Sequence, residues 1–314
     1  MAKWSANDIP NLAGRTIVVT GATSGLGYET ALAVAAKGAD VTLAVRNLNK
    51  GETARRQILG LYPKSHVVVE DLDLMDLSNV RAFGDRWSGR RLDVLFNNAG
   101  IMAVPYAQTK DGFESQVGTN HLGHFVLTDS LLPSLLASES PRVVTTSSFV
   151  HRQGRLTTGS REELNVDAQH YSPWAVYGNS KLANLLFMFE LDRRARAVGV
   201  PLKSLAAHPG YAATGLQHGP GSGGGLKGKI TDFFTDIGNA VMAQSAAAGA
   251  LPQLFAGTAP SVEGGQYYGP DGFMEQRGAP KIVQPNDRAK DADLARKVWE
   301  TSVAMTGAEY SELA

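Results

Sequence analysis

Apolar positions along the chain alternate between two rhythms. Thr16-Ile17-Val18-Val19-Thr20 is a short β-branched run without polar alternation, the pattern of a strand buried on both faces. Comparable runs recur at 41–45, 67–69, 94–96, 143–146 and 203–207. Stretches of helical spacing separate them at 25–37, 49–60, 78–87, 115–137 and 174–198, the first with Gly38 placed to end it. Parallel neighbours need a crossover, usually helical, so this order predicts an α/β fold: a doubly wound parallel sheet with helices on both faces. Gly219-Pro220-Gly221-Ser222-Gly223-Gly224-Gly225 reads as a hinge. No second core is evident beyond it, so residues 1–314 are read as one domain. An insertion of about 215–262, with Phe233, Phe234, Ile237, Val241 and Met242 at helical spacing, is expected to close over a substrate. The stretch 291–301, with Leu294, Val298 and Trp299 on one face, predicts a final packed helix.

Composition narrows the chemistry. Thirty basic residues balance thirty acidic ones, so no nucleic-acid partner or anionic membrane surface is expected. Cysteine is absent, which excludes disulfides, thiolate catalysis and Cys-ligated metal, and fits a reducing cytoplasm. The first fourteen residues lack an apolar signal region, and no run of about eighteen apolar residues occurs, so a cytoplasmic location is expected. His121 and His124 stand three apart without a third ligand at useful spacing; they are read as packed residues, and no metal is expected.

Two local patterns carry chemistry. Thr20-Gly21-Ala22-Thr23-Ser24-Gly25-Leu26-Gly27 lies between the first strand and its helix. Glycines there allow a tight turn and close approach to a pyrophosphate, which the helix N-terminus favours. Gly21, Thr23, Ser24, Gly25, Leu26 and Gly27 are therefore cofactor-binding candidates. The second strand ends in Arg46-Asn47. A carboxylate at that site would select the ribose hydroxyl of NAD; an arginine favours the 2′-phosphate of NADP(H), so NADP(H) is expected over NAD(H). Tyr177 and Lys181 stand at i and i+4, on one helix face. A lysine cation held there is expected to lower the phenol's pKa and suit it to proton transfer near neutral pH.

With these residues in hand, the chain resembles the short-chain dehydrogenase/reductase superfamily from about residue 11 to 307, and with it the Rossmann fold. Asn97-Asn98-Ala99-Gly100 looks like that family's segment after the fourth strand, and Asp73-Leu74 sits where the family carries an acidic residue facing the adenine. Pro209-Gly210 with Thr214 completes a P-G-x-x-x-T pattern. The resemblance implies cofactor contacts from Asp73, Leu74, Asn98, Ala99, Gly100, Tyr177, Lys181, Pro209, Gly210 and Thr214. It also implies a catalytic set of Asn120, Ser148, Tyr177 and Lys181: the tyrosine as acid/base, the lysine beneath it binding the nicotinamide ribose, the serine donating to the substrate oxygen, and the asparagine holding a water. Ser148 is preferred over Ser147, since adjacent strand residues face opposite ways. Thr119 through Phe125, Tyr177 through Asn184, His208-Pro209-Gly210 and Gln266 through Pro270 are similar to the retinol-dehydrogenase-like branch. The hydrophobic N-terminal anchor of membrane-bound members has no counterpart in the sequence, so a retinoid substrate does not carry over.

The expected activity is an NADP(H)-dependent interconversion of an alcohol and an aldehyde or ketone. Two alternatives stay open: a catalytically silent NADP(H) sensor, against which the complete four-residue set argues, and a nucleotide-sugar epimerase-type enzyme, against which the glycine spacing argues. His151 and Trp174 fall between Ser148 and Tyr177 and are placed either at the substrate mouth or in ordinary packing. By analogy with the family, helices at 115–137 and 174–198 would make homo-oligomer contacts, giving a dimer or tetramer.

Overall fold

A computed structural model describes residues 3–210 and 245–313. One eight-stranded sheet runs through them in the order β3-β2-β1-β4-β5-β6-β7-β8. Its strands are β1 Thr16–Thr20, β2 Asp40–Val45, β3 Val67–Asp71, β4 Val94–Asn97, β5 Arg142–Thr146, β6 Lys203–Ala207, β7 Tyr267–Pro270 and β8 Pro280–Ile282. All neighbours pair in parallel except β7 and β8. The six strands expected from the apolar runs are present within two residues at either end.

Helices α1 Gly25–Ala36, α2 Leu48–Leu61, α3 Leu77–Arg86 and α4 Ser115–Val117 come first. Then follow α5 Gly123–Ser130, α6 Leu132–Leu136, α7 Arg161–Leu164, α8 Pro173–Ala197, α9 Ala246–Thr258 and α10 Ala292–Thr306. Strand side chains alternate between two cores. Val18, Leu95 and Val143 join one, whereas Ile17, Val19, Phe96 and Val144 join the other. This two-sided burial is why the strands read as unbroken apolar runs.

The helix expected at 115–137 is interrupted. Gly118–Leu122 forms one wider π turn between α4 and α5, closed by Gly123 N–H donating to Gly118 O. Such turns recur at functional sites, and this one carries Asn120. The end of the expected lid is also different. Residues 246–258 form α9, whose Ala250, Leu254 and Ala256 are buried in the core with Phe96. A Cβ on Gly257 would stand 2.2 Å from the Phe96 ring. This helix is therefore part of the packed fold, and Ser245 caps it by accepting from Ala248 N–H at 3.2 Å. Residues 215–244 of that expectation, including Phe233, Phe234, Ile237, Val241 and Met242, lie outside the described residues, as does Thr214.

Helix α10, started by the Asp291 cap, lies along α8. Trp299 stacks on Phe187 at 5.9 Å, and Phe125 meets Trp299 and Tyr310 edge-on at 5.0 and 4.9 Å. Phe125 of α5 and Phe187 of α8 are thus covered from within the chain. Among the described residues, no helix is long and apolar enough to cross a membrane.

Candidate active site

The chain runs outward from β1 to β3 and then returns to the other side of β1 at β4. Reversal of this kind opens a crevice beyond the carboxyl ends of the strands. A cleft of about 590 Å³ lies there, of a size ordinary for a bound cofactor. Gly21, Thr23, Ser24, Gly25, Leu26 and Gly27 line one end. Gly21 has φ +66°, and a Cβ on it would stand 2.9 Å from Ala99 Cβ. On Gly27 it would stand 2.5 Å from both Asn98 Nδ2 and Gly21 O. Ser24 opens α1 without a side-chain cap, so the first-turn amides are not claimed by its hydroxyl. Thr20 Oγ1 accepts from Asn98 and Ala99 N–H, each at 2.9 Å, which joins the glycine turn to the segment after β4. A close-fitting glycine cradle with uncapped helix amides suits a dinucleotide pyrophosphate.

Arg46 and Asn47 line the cleft where β2 ends. Arg46 Nη1 reaches Met75 Sδ at 3.4 Å, and Asn47 caps α2 by accepting from Lys50 N–H at 3.0 Å. Asp73 and Leu74 line the wall after β3, with Asp73 Oδ1 accepting from Met75 N–H at 3.0 Å. Asn98, Ala99, Gly100, Pro209 and Gly210 complete the lining of the expected cofactor path.

At the other end stand Ser148, Tyr177 and Lys181. Tyr177 and Lys181 share a face of α8, with Lys181 Nζ 5.7 Å from the centre of the Tyr177 ring. Lys181 Nζ donates to Thr146 O at 3.1 Å. Ser148 Oγ acts from nearby to lower the phenol's pKa and accepts from Val150 N–H at 3.2 Å. Ser147 Oγ instead donates to Lys181 O at 2.8 Å, so the two hydroxyls have different partners. Asn120 Oδ1 accepts from Ile101 N–H at 2.9 Å, while its Nδ2 donates to Ile101 O and to Ser180 Oγ. Its carboxamide clamps the loop after β4 to α8.

The electrostatics depart from the sequence expectation. Burial pushes the Tyr177 phenol up to about 12, opposed by the Ser148 hydroxyl. Burial also brings Lys181 down to about 8. Each group is shut away from water, and desolvation penalises whichever form is charged. In this arrangement burial, not the lysine, sets the direction of the tyrosine's pKa, against the expected acidification. A phenol that keeps its proton at neutral pH is set up to give one.

The comparisons with known proteins agree with this geometry. Residues 15–160 match the family model for short chain dehydrogenase. Human Retinol dehydrogenase 13 is 37% identical over 302 residues, covering 94% of this chain and 86% of that protein. The chain belongs to the short-chain dehydrogenase family. Within it, the similarity is to the retinol-dehydrogenase-like branch. A crystal structure of an uncharacterized protein from Mycobacterium Paratuberculosis is 45% identical, with a TM-score of 0.80, covering 98% of this chain and 99% of that one. A Beutenbergia cavernae structure, described as an NAD(P) dependent gluconate 5-dehydrogenase with bound NADP, is 25% identical with a TM-score of 0.62 over 82% and 95% of the two chains. This short-chain dehydrogenase is an NAD(P)-dependent oxidoreductase.

Around the dehydrogenase site, Lys50, Gln253, Met274, Glu275 and Gln276 carried no sequence signal, while His121, His124, His151 and Trp174 were noted without partners. Lys50 lines the cleft one turn beyond Arg46 and adds a second cation there. His124 is buried, with Nε2 2.9 Å from Thr20 Oγ1 and Nδ1 3.2 Å from Asn120 O, and burial lowers its pKa to about 3. It thus links the glycine turn to the π turn as a neutral group. His121 is equally enclosed, 2.9 Å from Ser302 Oγ. Gln253 of α9 donates to Asn98 Oδ1 at 3.1 Å and accepts from Thr146 Oγ1 at 3.0 Å. Met274, Glu275 and Gln276, between β7 and β8, line the cleft opposite the glycine turn's loop, and Glu275 Oε2 lies 3.1 Å from His208 Nε2. Trp174 lines the cleft and is half exposed, whereas His151 is buried against Tyr267, its Nδ1 2.7 Å from Ser148 O. Only the spacing of i, i+3 and i, i+4 neighbours is local. The contacts of His124 with Thr20, of His121 with Ser302 and of Gln253 with Asn98 and Thr146 join residues more than a hundred positions apart.

Proposed function

We propose that this chain interconverts an alcohol and an aldehyde or ketone, using NADP(H) in preference to NAD(H). The reading is carried by one observation: a serine hydroxyl, a tyrosine phenol and a lysine ammonium converge at one end of a cleft whose other end is a glycine cradle. Arg46 and Lys50 would hold the 2′-phosphate, the first-turn amides of α1 the pyrophosphate, and Lys181 the ribose beside the nicotinamide. The cofactor, when bound, supplies or takes up the hydride. Tyr177 gives its proton to the substrate oxygen in the reducing direction and takes it back in the other. Ser148 donates a hydrogen bond where negative charge develops on that oxygen. Asn120 keeps a lone pair on Oδ1 for a water that returns the proton by way of Lys181.

A cytoplasmic enzyme with small-molecule partners, and neither nucleic acid nor membrane, belongs to the same proposal on composition. A homo-oligomer, dimer or tetramer, formed through the helices at 115–137 and 174–198 belongs to it by family analogy. A silent sensor is separated from an enzyme by turnover alone. NADPH oxidation is followed at 340 nm against aldehydes, ketones and quinones, with NADH alongside. Arg46→Asp is expected to lower the NADPH-to-NADH ratio of kcat/KM at least ~10-fold, the equivalent of one charge-assisted hydrogen bond. An unchanged ratio would refute the cofactor assignment, and absence of turnover with every carbonyl would refute the reaction.

A further inference from the structure

We propose that Gln116 is a positioning residue that fixes the shape of the substrate end of the cleft by tying together two of its walls. One wall is the loop after β4, which presents Ile101 and Met102; the other is the start of α8, which presents Trp174 one turn before Tyr177. Gln116 is fully buried in α4, and its carboxamide spans both. Oε1 accepts from Ala103 N–H at 2.7 Å. Nε2 donates to Tyr171 Oη at 2.8 Å and to Pro173 O at 2.9 Å. Tyr171 then closes the loop by donating to Val104 O at 2.6 Å.

The anchoring at each end explains why one side chain suffices. Ala103 has φ +49°, a conformation that a residue with a Cβ holds only when its surroundings fix it. The bond from Gln116 is one such constraint, directly beside Met102. At the other end, Pro173 begins α8, so the bond to its carbonyl holds the helix's first turn and with it Trp174. Gln116 is itself held by Glu114, whose buried carboxylate accepts from the backbone N–H of Gln116 at 2.8 Å and of Val117 at 2.9 Å. Nothing in this brace touches the glycine turn, Arg46 or the Ser148 hydroxyl. It acts on the substrate walls alone.

This inference rests on the carbonyl-reducing reading, and the test separates the two. In Gln116→Met, of similar volume but without the three bonds, KM for a bulky carbonyl is expected to rise ~10-fold and its advantage over a small carbonyl to shrink by as much. NADPH affinity and kcat stay within about threefold. Tyr171→Phe, at a half-exposed position, tests the same brace with less risk to folding and is expected to act in the same direction more weakly. Trp174 quenching by acrylamide is read in parallel in a Trp4→Phe background, where Trp87 and Trp299 are buried. It is expected to increase in Gln116→Met. Unchanged selectivity with unchanged quenching overturns the proposal, as does a parallel fall of NADPH affinity, kcat and melting temperature. If the wild type reduces no carbonyl, the reaction fails, and the quenching arm still decides the brace.

Discussion

Replacing Lys181 by methionine should abolish activity and yet make the protein more stable at neutral pH. Lys181 is buried, and its pKa falls from 10.5 to about 8. Below pH 8 the folded state must therefore carry a charge it disfavours. A shift of that size corresponds to roughly 3 kcal/mol, an upper figure. Methionine is unbranched and of similar length, so little cavity is expected. The one carbonyl that the ammonium serves, Thr146 O, also accepts from Asn184 Nδ2 at 3.1 Å and is not orphaned. The sign follows from proton counting. Between pH 8 and 10.5 the unfolded chain keeps the lysine proton while the folded chain has released it, so wild-type stability rises with pH across that window. The variant has no such group, and its advantage must shrink over the same range. Urea unfolding at pH 7 should show Lys181→Met ahead by about 1–3 kcal/mol. At pH 9.5 that lead should have fallen by more than half. A variant that is less stable at pH 7, or whose difference from wild type does not vary with pH, would refute the account of a lysine held charged against its surroundings.

Tyr177→Phe should lower kcat by about 10²–10⁴-fold, the usual contribution of a positioned proton donor, while the dissociation constant for NADPH, read by fluorescence titration, stays nearly unchanged. Near wild-type turnover would remove the phenol from the reaction. Gly27→Ala forces a methyl to within 2.5 Å of Asn98 Nδ2 and Gly21 O. It should weaken NADPH binding at least ~10-fold and destabilise by about 1–3 kcal/mol in urea unfolding, since the Gly21 carbonyl is backbone and cannot swing away.

How much of this could be read from the chain depends on whether the signal was local. Strands β1 to β6 are runs of β-branched and apolar residues because both faces are buried, and each was legible. Strands β7 and β8 were not. They are short, and Gly269, Pro270 and Pro280 within them erase the β signal, leaving only the family likeness of Gln266 through Pro270. Helix α9 falls inside the insertion expected at 215–262 and is not separately legible, because Ala, Gly and Pro fill it and no polar face marks its orientation; it is mostly enclosed, so none is needed. At the site, the glycine turn and the Tyr177/Lys181 pair were visible through their spacing. The direction of the tyrosine's pKa was not, since spacing brings charges together but does not say how much water is left around them. Gln116 and Gln253 were invisible for a different reason: each acts by joining distant segments, and a lone polar residue in a helix carries no mark of its partner. His124 was legible as a packed residue but not as a link between Thr20 and Asn120.

The aromatic seam beneath α10 bears on how the molecule presents itself to others. Phe125, Phe187, Trp299 and Tyr310 are turned inward, while Arg296, Lys297 and Glu300 stand on the outside of the same helix. What would otherwise be the greasiest flank of the sheet's covering is dressed by the chain itself in a charged, hydrated coat. A neighbour that recognised this flank would read the sequence of α10, not of the helices under it, so divergence in that one segment is enough to change the company the protein keeps while leaving the chemistry beneath untouched.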